Sequence, residues 1–381
     1  MSLISYLTKI HFADDVLEVA LQAEIGMLGA RRPMIVTDRR LVASGLVERV
    51  LDAAAKSAEV TLFDKFPSNP TEFACRTALS MFQGNDCDLL IAFGGGGAID
   101  LAKATGILAR HEGALAAYAA VEGGIARIRN PLPPIIAIPT TAGTGSEVSP
   151  TAIIIMEDGR KLAFVSSRLI PSVAICDPTL TLDMPPELTA STGMDAVTHC
   201  IETYIALGYN PPADGIALDG LRRAAANIER AVQKGGDLDA RREMMAAAMN
   251  GALALQKGLG GVHAMSYALG AFGSDDLDHG TLNAVLLPHA LEFNAPAVAH
   301  RYEALTRTFG LFGGSGPGRK LPQTISRLTE RLGMPSSLSR LGIGPDVLRR
   351  AASCAERDHT NSTNPRRARA GDYFELMRAA L

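Results

Sequence analysis

Apolar positions along the chain fall into two successive rhythms. Up to about residue 184, short runs rich in β-branched and aliphatic residues recur: PMIVTD (33–38), VTLFD (60–64), DLLIAFG (88–94), PIIAIPT (134–140), then AIIIM, LAFVS and VAIC. Between them, LVERVLDAAAKSA (46–58) and IDLAKATGILARH (99–111) space their apolar residues as helices do. Strand-like runs alternating with helical ones predict a parallel, doubly wound sheet. From about Pro186 the strand-like runs largely vanish. Ala-, Leu- and Arg-rich helical stretches take over, among them LDGLRRAAANIERAVQ (218–233) and REMMAAAMNGALALQ (242–256). The pattern predicts an α/β plus all-α chain, with an α/β domain over 1–184 and an all-helical domain over 185–381. The glycine-rich GLFGGSGPGRK (310–320) reads as a loop.

Composition agrees with two globular domains: 381 residues that are 47% hydrophobic supply apolar surface for sizeable cores. The net charge of −3 comes from mixed acidic and basic residues without long runs of either sign, which argues against nucleic acid or an anionic membrane as partner. The five cysteines (Cys75, Cys87, Cys176, Cys200, Cys354) show no Cys-x-x-Cys pair and read as free thiols of a reducing compartment. MSLISYLTKIHFADD has no basic segment followed by a long apolar run, and no later stretch of about 18 uncharged apolar residues occurs. A soluble cytoplasmic protein is the expectation.

Two polar loops follow apolar strands. Gly94-Gly95-Gly96-Gly97 leaves a strand and opens a helix, so its backbone N–H groups and the helix N-terminus form an anion site fit for a pyrophosphate, or simply a tight turn. Asp100 and Lys103, just beyond, read as a carboxylate favouring the helix N-terminus and a solvated lysine. Pro139-Thr140-Thr141-Ala142-Gly143-Thr144-Gly145-Ser146-Glu147 gathers hydroxyls and flexible backbone after another strand. In open parallel sheets ligands bind at the carboxyl ends of strands, so the two loops together point to a nucleotide and a Rossmann-like domain. Asp38, ending the strand at 33–38, is placed to accept from adenosine ribose hydroxyls and to repel a 2′-phosphate, favouring NAD over NADP. An ordinary strand-end turn explains it equally well.

In the helical half, Asp195 and His199 stand four residues apart on one helix face, and GLGGVHAMSYALGAFGSDDLDHG adds His263 and His279. One carboxylate and three imidazoles suit a divalent first-row metal with coordination positions to spare. A single helical Asp/His pair is weak evidence, and the signal lies in the combination.

At these residues the chain resembles the iron-containing (group III, metal-dependent) alcohol dehydrogenase family. GGGG-x-x-D-x-x-K, PTTAGTGSE, GMDAxxHxxE, GLGxVHA and HGxxNAxLLP occur in the family's order, and Asn364-Pro365-Arg366 looks like its C-terminal element. The likeness runs from about residue 10 to 375. It implies a dehydroquinate synthase-like fold, with Asp195, His199, His263 and His279 binding the metal, iron foremost and zinc next. It implies that Gly95, Gly96 and Gly97 receive the pyrophosphate, with Asp100 beside them, and that Asp38 meets the adenosine ribose. Thr140, Thr141, Thr144, Ser146 and Lys161 would line the ribose and nicotinamide end. The nucleotide would lie between the domains, its nicotinamide facing the metal, in a homodimer acting on a small alcohol or aldehyde.

The chain departs from the family pattern at several positions. Gly97 and Ala98 stand where many relatives carry serine and proline. Tyr267, four residues after His263, stands where most show a histidine, so its phenol either takes over proton transfer or is a packed aromatic. Lys257 is either a partner for an acidic group on a short aldehyde or a solvated lysine at a helix end. In Gly273-Ser274-Asp275-Asp276-Leu277-Asp278 the aspartates face solvent, or Asp278 tunes His279. The alternatives are a polyol dehydrogenase resembling glycerol dehydrogenase, or a sugar-phosphate cyclase of the dehydroquinate synthase type, a lyase expected to hold its metal with a glutamate and two histidines. A maleylacetate reductase-like enzyme would lack the full metal set, and an idle binding protein would not need it.

Overall fold

A computed structural model describes residues 4, 6, 8–56, 58–67, 69–272, 277–309 and 317–381, with backbone alone at 317–319. The chain divides into two compact units, one formed by Tyr6–Thr141 and Ser146–Thr181, the other by Ala142–Gly145 with Leu182–Leu381.

The first unit is built on a six-stranded parallel sheet of β1 (Lys9–Phe12), β2 (Pro33–Val36), β3 (Thr61–Phe63), β4 (Leu89–Gly94), β5 (Ile135–Pro139) and, after a hairpin, β8 (Val173–Cys176). Their spatial order is β1-β8-β5-β4-β2-β3. Every residue of β2, β4, β5 and β8 is buried, which is why these segments read as continuous apolar runs. The pleat deals them to two cores. Leu89, Ile91 and Phe93 of β4 join Ile35, Ile136, Ile138 and Ile175 on one face. Leu90 and Ala92 join Met34, Val36 and Ala137 on the other. Helices α1 (Leu17–Leu28), α2 (Arg39–Ala43) and α3 (Val47–Ala55), with α4 (Glu72–Gly84) and α5 (Gly96–Arg110), connect the first strands. Leu17, Leu21, Val47 and Val50 fill the first core, and Ala74, Ala78, Ile99 and Ala102 the second.

The runs AIIIM and LAFVS do not enter this sheet. They form β6 (Thr151–Ile155) and β7 (Lys161–Val165), an antiparallel hairpin with its own two-stranded sheet. The hairpin is tied to α5 by polar groups. Lys103, fully buried on α5, donates to the carbonyls of Ser146 (2.7 Å), Ser149 (2.8 Å) and Thr151 (2.8 Å) and to the Ser146 hydroxyl (2.9 Å). Asp100 accepts from the Ser146 hydroxyl at 2.6 Å and from the Ile153 amide at 2.9 Å. The expectation of a solvated Lys103 is therefore overturned, because four oxygens replace its hydration. Burial pulls its pKa down to about 8, which still leaves an ammonium to serve those acceptors at neutral pH.

The second unit is helical: α6 (Pro186–Ile205), α7 (Pro211–Gln233), α8 (Leu238–Leu253), α9 (Gly261–Gly270), α10 (His279–Thr308), α11 (Pro317–Arg331), α12 (Leu348–Arg357) and α13 (Ala370–Ala379). Residues 317–320, read from sequence as loop, open α11, while 310–316 lie outside the described residues. Among the described residues no helix is long and apolar enough to cross a membrane. Ala142–Gly145 packs onto this unit. Gly145 has φ +61°, and a Cβ there would stand 2.2 Å from the Ala252 Cβ, so this turn tolerates only glycine.

Replacing Lys103 by methionine keeps the apolar stem but strands two buried carbonyls and one part-buried one, and removes the cation nearest Asp100. The expected loss is about 3–5 kcal/mol of unfolding free energy, read by urea denaturation at pH 7. A loss below about 1 kcal/mol would mean that water replaces the ammonium without strain.

Candidate metal centre and nucleotide loops

Helix α6 is buried along most of its length, so any polar side chain it carries inward must be matched. Asp195 and His199, one turn apart, are both buried there. His263 lies in the first turn of α9, and His279 opens α10. Their arrangement converges on one atom: Asp195 Oδ1 lies 3.7 Å from His199 Nε2, 3.8 Å from His263 Nε2 and 3.8 Å from His279 Nε2. The rings of His199 and His263 stack at 4.7 Å between centroids.

Metal–ligand bonds of about 2.0–2.2 Å set neighbouring donor atoms roughly 3–3.5 Å apart, close to the spacing found here. The donor chemistry also fits. His263 Nε2 is buried with no hydrogen-bond partner among the described residues, an orphan that a metal would satisfy. Burial lowers the His199 pKa and keeps that ring neutral, as a ligand must be. Asp195, His263 and His279 bring their donor atoms within 4.8 Å of one another, and His199 stands against the same carboxylate oxygen.

Three further residues hold these donors in place. Asn283 donates from Nδ2 to Asp195 Oδ1 at 2.9 Å. Ser266 Oγ stands 3.3 Å from His279 Nδ1, and the Glu202 carboxylate lies 2.6 Å from His263 Nδ1. Burial acts to lower the His263 pKa, but the Glu202 contact outweighs it and raises it. Glu202 and Asn283 lie in the motifs GMDAxxHxxE and HGxxNAxLLP, whose residue types alone assign neither a role. The available signal was spacing: Glu202 continues the Asp195/His199 face of α6, and Asn283 follows His279 by one turn.

Tyr267 stacks on His279 (ring centroids 5.1 Å apart, planes 9° apart) and meets His263 edge-on at 5.6 Å, so it belongs to this cluster. Lys257 does not join it through its amine. Its side chain is fully buried, and Nζ donates to Asp214 and to the Tyr204 carbonyl, the same pair of acceptors used by Arg301. Both expectations for Lys257, substrate partner and solvated surface residue, give way to a buried ion pair. Asp278 caps α10 by accepting from the Thr281 amide and hydroxyl, while Asp275 and Asp276 lie outside the described residues.

In the sheet unit, strand register brings the nucleotide candidates together. Val36 pairs with Ala92 and Gly94 with Pro139, so Asp38, Gly94–Gly95 and Thr140–Thr141 leave three adjacent strands side by side. The chain turns outward from β2 to β3 and then reverses to β4, the kind of topological switch at which open sheets bind ligands. Gly95, Gly96 and Gly97 stay partly accessible, and no side chain caps the α5 N-terminus. A Cβ on Gly95 would stand 3.3 Å from the Thr141 methyl carbon, and the Thr140 amide donates to the Gly94 carbonyl at 3.0 Å. Asp38 caps α2, Oδ1 accepting from the Arg40 and Leu41 amides, while Oδ2 lies on the Gly94 side. Asp100 and Ser146 are engaged with each other and with Lys103 beneath these loops, and Lys161 stands at the start of the neighbouring β7. Thr144 falls in the short segment that packs with the helical unit.

Comparison with known proteins agrees with both halves. The family model described as iron-containing alcohol dehydrogenase matches residues 8–178, and the C-terminal model of the Fe-containing alcohol dehydrogenase family matches 189–381. The chain is 48% identical to a 4-hydroxybutyrate dehydrogenase of Cupriavidus necator over 388 aligned positions that cover all of both proteins. It is 37% identical to a 1,3-propanediol dehydrogenase of Klebsiella pneumoniae, over 93% of this chain and 92% of that one. A crystal structure of a 1,3-propanediol oxidoreductase superposes with a TM-score of 0.94 at 34% identity, covering both chains completely. These matches favour hydride transfer over the cyclase alternative, and the family implies a metal and a nicotinamide-type cofactor. The chain belongs to the iron-containing alcohol dehydrogenase family, as an NAD(P)-linked oxidoreductase that interconverts alcohol and aldehyde.

Proposed function

We propose that the protein is an NAD-dependent dehydrogenase for a short primary alcohol bearing a carboxylate, of the 4-hydroxybutyrate type, and for the corresponding aldehyde. The observation that carries the chemistry is the convergence of three imidazole nitrogens on Asp195 Oδ1. A divalent metal held by Asp195, His199, His263 and His279, iron foremost, would supply Lewis-acid polarisation of the reacting oxygen. The substrate class is supported by 48% identity over full length to a protein named for 4-hydroxybutyrate. Asp38 beside the glycine turn favours NAD, since its carboxylate repels a 2′-phosphate. In this reading Tyr267 handles the proton, supported by its ring lying against His263 and His279. A cytoplasmic homodimer remains the expected form of the enzyme.

Replacing His263 by alanine removes a buried donor from the centre of the cluster, so the purified variant should lose bound metal and turnover together. Elemental analysis checks this, and full metal content in an active variant would refute the ligand assignment.

With NADH, kcat/KM for succinic semialdehyde should exceed that for butanal by roughly tenfold or more, the scale of one charge-assisted contact, and NADH should be preferred to NADPH. Lys257→Met should leave the anionic-to-neutral ratio unchanged while lowering stability by about 1.5–3 kcal/mol, because Lys257 serves Asp214. A collapse of the ratio in that variant would restore Lys257 to the substrate.

Tyr267→Phe should retain metal and cofactor affinity but lose at least about tenfold in kcat, the lower range for a proton-transfer group. Unchanged kcat would make the ring a packing residue.

A further inference from the structure

We infer that Glu202 is the positioning residue for the metal centre: its carboxylate fixes the orientation and tautomer of His263 and thereby sets how tightly the site holds a divalent ion. The inference rests on the metal reading above.

Glu202 is 2% exposed on α6, seven residues after Asp195 and three after His199, so one helix face presents two metal donors and this carboxylate. Its two oxygens are both committed to the turn that delivers His263. Oε1 accepts from the Val262 amide at 2.8 Å, and Oε2 meets His263 Nδ1 at 2.6 Å with the His263 amide at 3.4 Å. Held by backbone on one side, the carboxylate cannot swing away from the ring. A contact of 2.6 Å between imidazole and carboxylate is of the charge-assisted kind and requires the ring proton on Nδ1. In the neutral ring Nε2 is then left bare, and Nε2 is the atom 3.8 Å from Asp195 Oδ1 that has no hydrogen-bond partner among the described residues. Because Glu202 occupies the far side of the ring, it is not itself a ligand. It raises the basicity of the donor nitrogen instead.

The turn is shaped to keep this contact. A Cβ on Gly260 would stand 2.8 Å from both Glu202 Oε1 and Asn364 Oδ1, so a side chain there would force the two apart. Asn364 braces the other side by accepting from the Gly261 amide at 3.0 Å and from Asn294 Nδ2 at 3.0 Å. Three sequence motifs, GMDAxxHxxE, GLGxVH and Asn-Pro-Arg, thus meet at the turn that carries one imidazole. The other two rings are held differently. His279 Nδ1 faces the Ser266 hydroxyl at 3.3 Å, and the Gly143 backbone contributes to the field at His199 without a well-formed hydrogen bond to its Nδ1.

The test is Glu202→Gln, which keeps volume and an acceptor oxygen but removes the charge. Zinc dissociation constants measured by chelator competition should rise about 10–100-fold over wild type, while the melting temperature of the metal-free variant stays within a few degrees of metal-free wild type. A zinc affinity within threefold of wild type overturns the inference, and so does a loss that merely tracks a lowered metal-free melting temperature. Long-range ¹⁵N correlation spectra of the wild type give a check that needs no variant: His263 should be protonated at Nδ1 and bare at Nε2, and the opposite tautomer overturns the inference. If wild type binds zinc but Glu202→Gln binds equally well, only the role of Glu202 fails. If wild type binds no divalent metal at all, the metal reading fails and takes this inference with it.

Discussion

The helical half is organised by one electrostatic problem, the enclosure of a carboxylate oxygen with three imidazole nitrogens within 3.8 Å of it. Unmatched polar atoms in a dry interior each cost free energy on the order of 1–3 kcal/mol, and the surrounding residues absorb several of those not reserved for a metal. Asn283 takes Asp195, Glu202 takes the outer nitrogen of His263, and the hydroxyl of Ser266 faces that of His279. The same demand explains why α6 is packed closely by its neighbours: a Cβ on Gly251 of α8 would reach the His199 Cβ at 3.0 Å, so the helices approach at a small residue. Close packing excludes water, and exclusion of water is what makes the few fixed charges effective.

The sheet half solves a different problem with backbone. Strands buried on both faces leave polar groups only at their ends, and the register of β2, β4 and β5 lines those ends up. The glycine turn can receive an anion because its amides are uncapped, whereas the loop after β5 is supported from below by Lys103 and Asp100. Residues that shape this loop are thus distinct from those it exposes. Ser146 shows the difference, since its hydroxyl is held between the buried lysine and the aspartate.

Much of this was legible in sequence where the signal is local. Seven of the strand-like runs became strands because their apolar content is continuous, and Asp195/His199 could be paired because four residues make one helical turn. Lys9–Phe12 escaped notice because KIHF is short and half polar, and it becomes a strand only by pairing with Val173–Cys176, more than 160 residues away. The hairpin at 151–165 looked like two more strands of the main sheet because a run of isoleucines does not say which partner it will find. Lysines were the least legible. Lys103 and Lys257 look like surface residues in sequence, yet each is buried by partners 43 to 53 residues distant.

Lys257 also shows how a departure from a family pattern can be structural without touching chemistry. It ends the short 3₁₀ turn after α8, immediately before Gly258, whose φ of +108° redirects the chain toward His263. With Arg301 it closes over Tyr204 and binds Asp214, which fixes the entrance to that turn from the α7 side. Beyond the turn, Gly258 packs on Thr363 and the Gly261 amide on Asn364, so the exit is fixed by the C-terminal segment. The Lys257 charge is accommodated by an acid and a carbonyl nearby, and it is largely offset there. The preference proposed for a carboxylate-bearing substrate therefore rests on groups other than this amine. The Lys257 ammonium gives two of its three hydrogens to Asp214 and the Tyr204 carbonyl, and the Asp214 carboxylate already offsets the charge that an anionic ligand would need.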